Sequence, residues 1–320
     1  MRVTYVLEIR CDMVYTLLML GLLILLAGGK YLVDGASAIA SRFGLSPGLI
    51  GLTIVAFGTS APELLVSINA ALKENSDIAI GNVVGSNISN ITLVLGISAM
   101  LYPILIFRSV LKLDYFATLA SSLLFYLLAL NGVIGRGEGL TLFLLMIALN
   151  VYFFRKLSGK EIEEGEDAQK GKKQALWKAL FFLALGVLGL YYGSDLFVDN
   201  AVEISKVFGV SERIIGITVI AIGTSLPELV TSVIAAIKKE TDIAIGNILG
   251  SNIMNILSII GITALIQPIP VSKDFLNQDF LWMIGFTLIL FPILRTHLKI
   301  SRWEGLLLFL LYGVYLYAIL

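Results

Sequence analysis

The chain has 320 residues, of which 58% are hydrophobic and 14% are charged, and its mean hydropathy is +0.92. Soluble domains are about 45–50% apolar and about 25% charged, so this composition excludes disordered and ordinary soluble proteins and indicates a membrane protein with many spans. The 23 basic residues balance the 23 acidic ones, which argues against nucleic-acid binding. A single cysteine and a single histidine exclude an internal disulfide, a cysteine-based metal cluster and a two-histidine metal site.

Hydropathy predicts ten spanning helices at about 20 residues each. A short extension at 1–12 precedes them and lacks the features of a signal peptide; Met13 is an equally acceptable start. Five helices are expected at about 13–42, 46–73, 77–102, 114–132 and 137–155. A charged linker follows at 156–174. Five more helices are expected at about 175–206, 211–238, 242–268, 278–295 and 301–319.

The distribution of basic residues predicts the orientation in the cell membrane. If the N-terminus is outside, the inner segments hold fifteen Lys and Arg residues and the outer segments hold seven. Cytoplasmic loops are enriched in Lys and Arg. We therefore expect both termini outside and the 156–174 linker in the cytoplasm.

An internal repeat dominates the sequence. GLTIVAFGTSAPELLVSI at 51–68 matches GITVIAIGTSLPELVTSV at 216–233, and DIAIGNVVGSNISNI at 77–91 matches DIAIGNILGSNIMNI at 242–256; both offsets (216 − 51 and 242 − 77) are 165. The chain thus duplicates a five-helix unit, as 13–155 and 175–320. Because five is odd, the copies have inverted topology, so the predicted fold is an all-α polytopic membrane protein of two inverted repeats. Secondary transporters share this architecture and bind substrate at the midplane between the halves.

Each GTSxPE motif places a proline and a carboxylate at mid-membrane depth. Pro62 and Pro227 lack an N–H and obstruct the carbonyls four residues earlier, so we expect free carbonyls near Gly58, Thr59, Gly223 and Thr224. Beside each break lie hydroxyls and one glutamate, and the next helix adds a serine and an asparagine at i,i+4 spacing on one face. These side chains are Thr59, Ser60, Glu63, Ser86 and Asn90 in the first repeat, and Thr224, Ser225, Glu228, Ser251 and Asn255 in the second.

An all-oxygen set of this kind suits hard cations such as calcium, and the lack of sulfur and imidazole argues against zinc, copper and iron. A charge at the bilayer centre costs at least about 2.5–3.5 kcal/mol. No intramembrane Lys or Arg is placed to neutralise Glu63 and Glu228, so a bound cation is expected there. The neighbouring asparagines are expected to satisfy backbone groups or to bridge helices; they are Asn82, Asn87, Asn247 and Asn252.

The paired GTSAPE…GNVVGSNISN and GTSLPE…GNILGSNIMN resemble the two α-repeats of the sodium/calcium exchanger family, within the calcium/cation antiporter superfamily. The resemblance covers nearly the whole chain and implies a secondary antiporter that exchanges sodium for calcium by alternating access, rather than an enzyme. It implies no cofactor, calcium and sodium ions and the lipid bilayer as partners, and a monomer. It also implies that the long first and sixth helices slide across the others.

The resemblance further implies four cation positions arranged as a diamond. Calcium would be held by Glu63 and Glu228 with backbone oxygens of Thr59 and Thr224, and sodium by Ala56, Ser60, Ser86, Ala221, Ser225 and Ser251. The fourth position would fall to Asn90 and Asn255. Some family members carry Asp at the position of Asn255, so this chain lacks one negative charge, which makes potassium co-transport less expected and leaves the sodium stoichiometry open.

Three other functions remain to be distinguished. A proton/calcium antiporter is the main alternative, although that family carries a different motif around its glutamates. A cation channel would give flux without stoichiometric counter-transport. An intramembrane hydrolase would use Ser60 or Ser225 as nucleophile, but no His or Lys lies near either serine in sequence.

Overall fold

The computed structural model describes residues 2–108, 110–157, 175–209 and 221–319. Within these ranges eight helices are long and apolar enough to span a membrane, a bent pair of helices adds a ninth span, and the described part of a tenth segment is broken in a similar way. The first five are α1 Arg2–Phe43, α2 Pro47–Thr59 with Ala61–Leu72, α3 Ser76–Leu101, α4 Val110–Ala129 and α5 Arg136–Leu157. The second five are α6 Leu176–Val207, α7 Ala221–Thr224 with Leu226–Ile237, α8 Thr241–Ile266, α9 Phe275–Arg295 and α10 Arg302–Ile319.

The helix boundaries differ from the predicted ones mainly at N-termini. Helix α1 begins at Arg2 rather than at 13, because the charged 1–12 segment contains no Gly or Pro to interrupt it. Helices α4 and α9 begin at Val110 and Phe275, each with a π-helical turn over five residues. Helix α5 extends through the first two residues of the predicted 156–174 linker. The rest of that linker, 158–174, and the predicted start of the seventh helix, 211–220, lie outside the described residues.

Backbone conformation is repeated at positions 165 residues apart. Left-handed φ angles occur at Gly44 and Gly209 (63° and 73°), and at Glu74 and Lys239 (60° and 64°). Two short antiparallel ribbons follow the same rule. Strand β1 (Ile104–Leu105) pairs with β4 (Lys299–Ile300), and β2 (Val133–Ile134) pairs with β3 (Ile269–Pro270). A shift of 165 residues takes position 104 to 269 and position 134 to 299, so it maps one ribbon onto the other. The fold therefore has an internal pseudo-symmetry that relates two inverted five-helix repeats.

Helices α3 and α8 form the centre of the bundle. In their most apolar 18-residue windows 83% and 89% of the residues are buried, whereas the value is 22–39% for the other unbroken helices. Their polar side chains therefore face protein rather than lipid, which is the environment in which intramembrane polar groups are tolerated.

Helices α1 and α6 cross at very short distance. A Cβ on Gly28 would lie 2.6 Å from the backbone nitrogen of Leu190, and a Cβ on Gly186 would lie 2.4 Å from that of Leu32. Only glycine allows the two backbones to approach so closely. The two long helices thus pack as a pair along the bundle.

Candidate cation site

The GTSxPE motifs break α2 and α7 in the same way. Ser60 has φ −87° and ψ 6°, and Ser225 has φ −89° and ψ 4°. The two segments of α2 are bent by 45° at this break. Glu63 and Glu228 lie in the first turn after the breaks, where the positive end of the helix dipole favours a carboxylate.

One of the backbone carbonyls that were expected to be free at these breaks is hydrogen-bonded in the structure. The Gly223 carbonyl accepts a hydrogen bond from Ser194 Oγ on α6 at 3.0 Å, so it is already satisfied. The expectation of a free Gly223 carbonyl was therefore wrong, because the packing of α6 against the break supplies a hydroxyl that no motif in 216–233 indicates.

Helices α3 and α8 each contain a π-helical segment at the level of the site. These segments are Asn90–Val94 and Asn255–Ile260, and each begins at the asparagine of the predicted fourth position. Such π-helical turns occur frequently at functional sites. The same device therefore presents Asn90 and Asn255 from the two repeats.

The two glutamates are fully buried and interact electrostatically with each other. Oε1 of Glu228 accepts hydrogen bonds from Ser60 Oγ at 3.0 Å and from Ser251 Oγ at 3.4 Å. Several buried oxygens make no hydrogen bond within the described part of the chain. These are both carboxylate oxygens of Glu63, Oε2 of Glu228, and Oδ1 of Asn90 and Asn255.

Hydroxyl and amide groups connect the two repeats across the site. Thr59 Oγ1 donates to Asn247 Oδ1 at 3.1 Å and lies 3.4 Å from Ser251 Oγ. The hydroxyls of Ser89 and Ser225 are 2.7 Å apart. The structure thus joins residues that are 136 to 192 positions apart in sequence.

The other predicted ligands occupy the same helices. Ser86 and Ser251 are buried one helical turn before the two asparagines, and Ala56 is buried just before the α2 break. Ala221 and Thr224 are the first and last described residues of α7 before its break. The side chain of Ala221 lies outside the described residues.

Sequence reasoning missed Ser89 and gave only bridging roles to four asparagines. Asn82 Nδ2 donates to the Glu63 carbonyl at 3.0 Å and to Ser67 Oγ at 2.9 Å. The equivalent Asn247 donates to Ser232 Oγ at 3.0 Å. The bridging role is therefore confirmed for Asn82 and Asn247. The GN…GSN pattern that occurs in both repeats was the sequence feature that pointed to these asparagines.

The cluster offers only oxygen atoms as ligands, several of them buried without a hydrogen-bond partner in the described ranges. No basic side chain pairs with Glu63 or Glu228 among residues 13–108, 110–157, 175–209 and 222–319. Two buried carboxylates without a cationic partner are costly in an apolar medium. Their unpartnered oxygens and the asparagine carbonyls supply the ligands that hard cations prefer.

Comparison with known proteins identifies the family. A family model described as sodium/calcium exchanger protein matches residues 13–155 and again 178–320. Sodium/calcium exchanger MaX1 of Methanosarcina acetivorans is 35% identical over 340 aligned positions, which cover 94% of this chain and 97% of MaX1. Inner membrane protein YrbG of Escherichia coli is 36% identical over 280 positions, 85% of this chain and 86% of YrbG.

Solved structures of the sodium-calcium exchanger NCX_Mj share the fold along the whole chain. The form soaked without Na⁺ and Ca²⁺ superposes with a TM-score of 0.83 at 30% identity, covering 96% of this chain and 99% of that one. The family model matches once in each repeat, and MaX1 and NCX_Mj align over 94% and 96% of this chain. The chain is therefore a multi-pass membrane protein of the sodium/calcium exchanger family.

Proposed function

We propose that this protein is a secondary antiporter that exchanges sodium for calcium across the cell membrane by alternating access. The single observation that carries the proposal is the pair Glu63 and Glu228, both fully buried, with three of their four oxygens unpartnered among the described residues. MaX1 and NCX_Mj, which are named as sodium/calcium exchangers, support the choice of ions.

The charge of the site explains why transport of calcium is coupled to transport of sodium in the opposite direction. The site carries two negative charges, which one calcium ion or two sodium ions would neutralise. An empty site would have to be enclosed in the bilayer with both charges uncompensated, which is opposed by their desolvation cost. The loaded carrier can therefore close and the empty carrier cannot, and this difference produces exchange rather than leak.

The glycine-mediated crossing of α1 and α6 suits a sliding motion. At Gly28 and Gly186 the two helices meet through backbone rather than through interlocked large side chains. Such a contact offers few side-chain barriers to translation along the helix axis. We propose that these helices move as a pair past the other eight and open the site to each side in turn.

The proposed ligands are those named above from the resemblance. Ser60 and Ser251 both donate hydrogen bonds to Oε1 of Glu228, which supports the inclusion of these three residues. We also propose that the chain works as a monomer with both termini outside, in accordance with the distribution of Lys and Arg.

The test is calcium-45 uptake by purified protein in liposomes. Vesicles loaded with sodium and diluted into sodium-free medium should take up calcium. Vesicles loaded with choline, or treated with a sodium ionophore, should not. Matched variants are Glu63→Gln at the site and Glu74→Gln at an exposed loop position; only the first should abolish uptake.

The same vesicles distinguish the alternatives. Uptake driven by an acidic interior without sodium would overturn sodium coupling and establish a proton/calcium antiporter. Uptake that needs no counter-ion and follows only the membrane potential would instead indicate a channel.

A further inference from the structure

Four asparagines form a reciprocal hydrogen-bonded set beside the glutamates, which we call the asparagine ring. Its members are Asn87 and Asn90 on α3 and Asn252 and Asn255 on α8, and all are at most 1% exposed. Asn90 Nδ2 donates to Asn252 Oδ1 at 3.0 Å, and Asn255 Nδ2 donates to Asn87 Oδ1 at 3.2 Å. Because 87 corresponds to 252 and 90 to 255, each bond is the pseudo-symmetric copy of the other.

The ring fixes the orientation of two amides. In Asn90 and Asn255 the NH₂ group is committed to the opposite repeat, and the carbonyl oxygen makes no hydrogen bond among the described residues. An amide is planar, with donor and acceptor on opposite edges, so anchoring the nitrogen settles where the oxygen points. Buried amide oxygens are rarely left unpartnered without a functional reason.

The two supporting asparagines are themselves held. Asn252 Nδ2 donates to the backbone carbonyl of Asn87 at 3.3 Å, and Asn87 Nδ2 contacts Met283 Sδ on α9 at 3.6 Å. Both supporting residues therefore present their Oδ1 atoms to the partner amides. A rotation of either amide would place like groups against each other at hydrogen-bond distance.

We propose that Asn87 and Asn252 are positioning residues that determine cation selectivity, because they hold Asn255 and Asn90 with neutral carbonyl oxygens available to the transported ion. This proposal rests on the proposed function of the site. With both amides fixed, Glu63 and Glu228 supply two negative charges to the site. The other ligand positions are then occupied by neutral oxygen atoms. Such a set matches one divalent cation or two monovalent ones.

The test uses Asn87→Leu and Asn252→Leu, which remove the acceptor at similar side-chain volume. Asn150→Leu is the matched control, because Asn150 donates only to the Met146 carbonyl of its own helix α5. Equilibrium binding of calcium-45 to purified protein, with competition by sodium and by strontium, measures selectivity without requiring transport. We expect either site variant to weaken calcium binding by 10-fold or more and to change the sodium/calcium and strontium/calcium competition ratios by at least 3-fold, with Asn150→Leu unchanged.

A double-mutant cycle separates positioning from general damage. Asn87→Leu should add little to Asn255→Leu, its ring partner, because the same hydrogen bond is already lost. Asn87→Leu should add nearly its full effect to Ser60→Ala, because Ser60 lies on α2 and donates to Glu228 rather than to a member of the ring. Asn87→Ser, which keeps a hydroxyl at this position, serves if the leucine variant does not fold, and it should retain part of the selectivity.

Unchanged competition ratios in folded variants would overturn the proposal, as would full additivity of Asn87→Leu with Asn255→Leu. A wild-type protein that binds calcium with sodium competition but fails to exchange the two ions would contradict only the proposed function, because the binding ratios can still be measured.

Discussion

Ser60 of the first repeat donates a hydrogen bond to Oε1 of Glu228 in the second repeat at 3.0 Å. Its equivalent, Ser225, lies 2.7 Å from the hydroxyl of Ser89, and both oxygens of Glu63 are unpartnered within the described part of the chain. The two glutamates therefore differ in their support although their motifs are nearly identical. Oε1 of Glu228 is held in place by the opposite repeat, whereas neither oxygen of Glu63 has a hydrogen-bond partner in the described ranges.

This asymmetry predicts unequal effects for two matched serine variants. Ser60→Ala removes a hydrogen bond to a charged group, which contributes about 1.5–3 kcal/mol, so calcium affinity should fall about 10- to 100-fold. Ser225→Ala removes a bond between neutral hydroxyls, which contributes about 0.5–1.5 kcal/mol, and should lower affinity less. Calcium-45 binding to both purified variants measures the difference; an equal or reversed order would contradict the asymmetry.

Neutralising either glutamate should abolish calcium transport. Glu63→Gln and Glu228→Gln each remove one of two charges and one carboxylate oxygen from a fully buried site. Folding should be preserved, because amide and carboxylate have similar volume and neither glutamate has a basic partner in the described ranges. Calcium uptake in liposomes measures the loss of transport. A monodisperse peak in size-exclusion chromatography shows that the variants are folded. Uptake similar to wild type by either folded variant would show that the site is wrongly placed.

Asn255→Asp should change ion coupling more than stability. A carboxylate at this position cannot donate to Asn87 Oδ1, which accepts from the Asn255 amide at 3.2 Å, and it would add a third acidic group near the glutamates. The new group must then be protonated or matched by an extra cation. We expect a shifted sodium dependence, or some potassium dependence, of calcium uptake, with a thermal midpoint within a few degrees of wild type. Identical sodium, potassium and pH dependence would exclude Asn255 from the ion path.

Lys238 at the end of α7 and Asp34 on α1 form an ion pair with Nζ 2.5 Å from Oδ1. Their equivalents, Lys73 and Asp199, are both exposed, and no ion pair joins them in the described ranges. If the repeats exchange conformations during alternating access, the state open to the other side should join Lys73 to Asp199 and separate Lys238 from Asp34.

Cysteine cross-linking measures this exchange. With Cys11→Ser as background, short cross-linkers should bridge Asp34→Cys to Lys238→Cys in one state and Lys73→Cys to Asp199→Cys in the other. Either bridge should stop calcium uptake, and reduction should restore it. Uptake that continues with the Asp34–Lys238 positions bridged would show that this contact does not open during transport.

Glu240 lies in the connection between α7 and α8, outside the membrane segments. Burial raises the pKa of its carboxyl above the ordinary value of 4.5, and nearby Asp34 adds to the rise, whereas Ser37 and Lys238 act in the opposite direction. The folded-state pKa therefore exceeds the unfolded one. The contribution to stability is complete below the unfolded value and is lost as the pH rises through the folded value.

Glu240→Gln, which stays neutral, should therefore raise the thermal midpoint at about pH 8 and change it little near pH 4, below the ordinary glutamate pKa. Thermal unfolding in detergent at the two pH values gives the comparison, and Glu74→Gln at an exposed position is the control. An equal gain at both pH values would mean that the effect is not the titration of Glu240.

The sequence alone determined the class, the repeat and the central pair of residues. High hydropathy and the offset of 165 dictate two inverted five-helix units, because an odd number of spans must reverse the second copy. A carboxylate next to a proline in the middle of an apolar segment is too costly to be structural, so Glu63 and Glu228 could be chosen without a structure.

The tertiary structure decided which atoms meet. The hydrogen bonds from Ser60 to Glu228 and from Asn255 to Asn87 join residues 168 positions apart, and no local pattern encodes such pairs. Likewise, Ser194 donates a hydrogen bond to the Gly223 carbonyl. The equivalent position in the first repeat is Gly29, which has no hydroxyl to donate. Duplicated motifs specify equal local geometry in both halves, but only packing of one repeat against the other determines which oxygens are consumed by hydrogen bonds and which remain available for a cation.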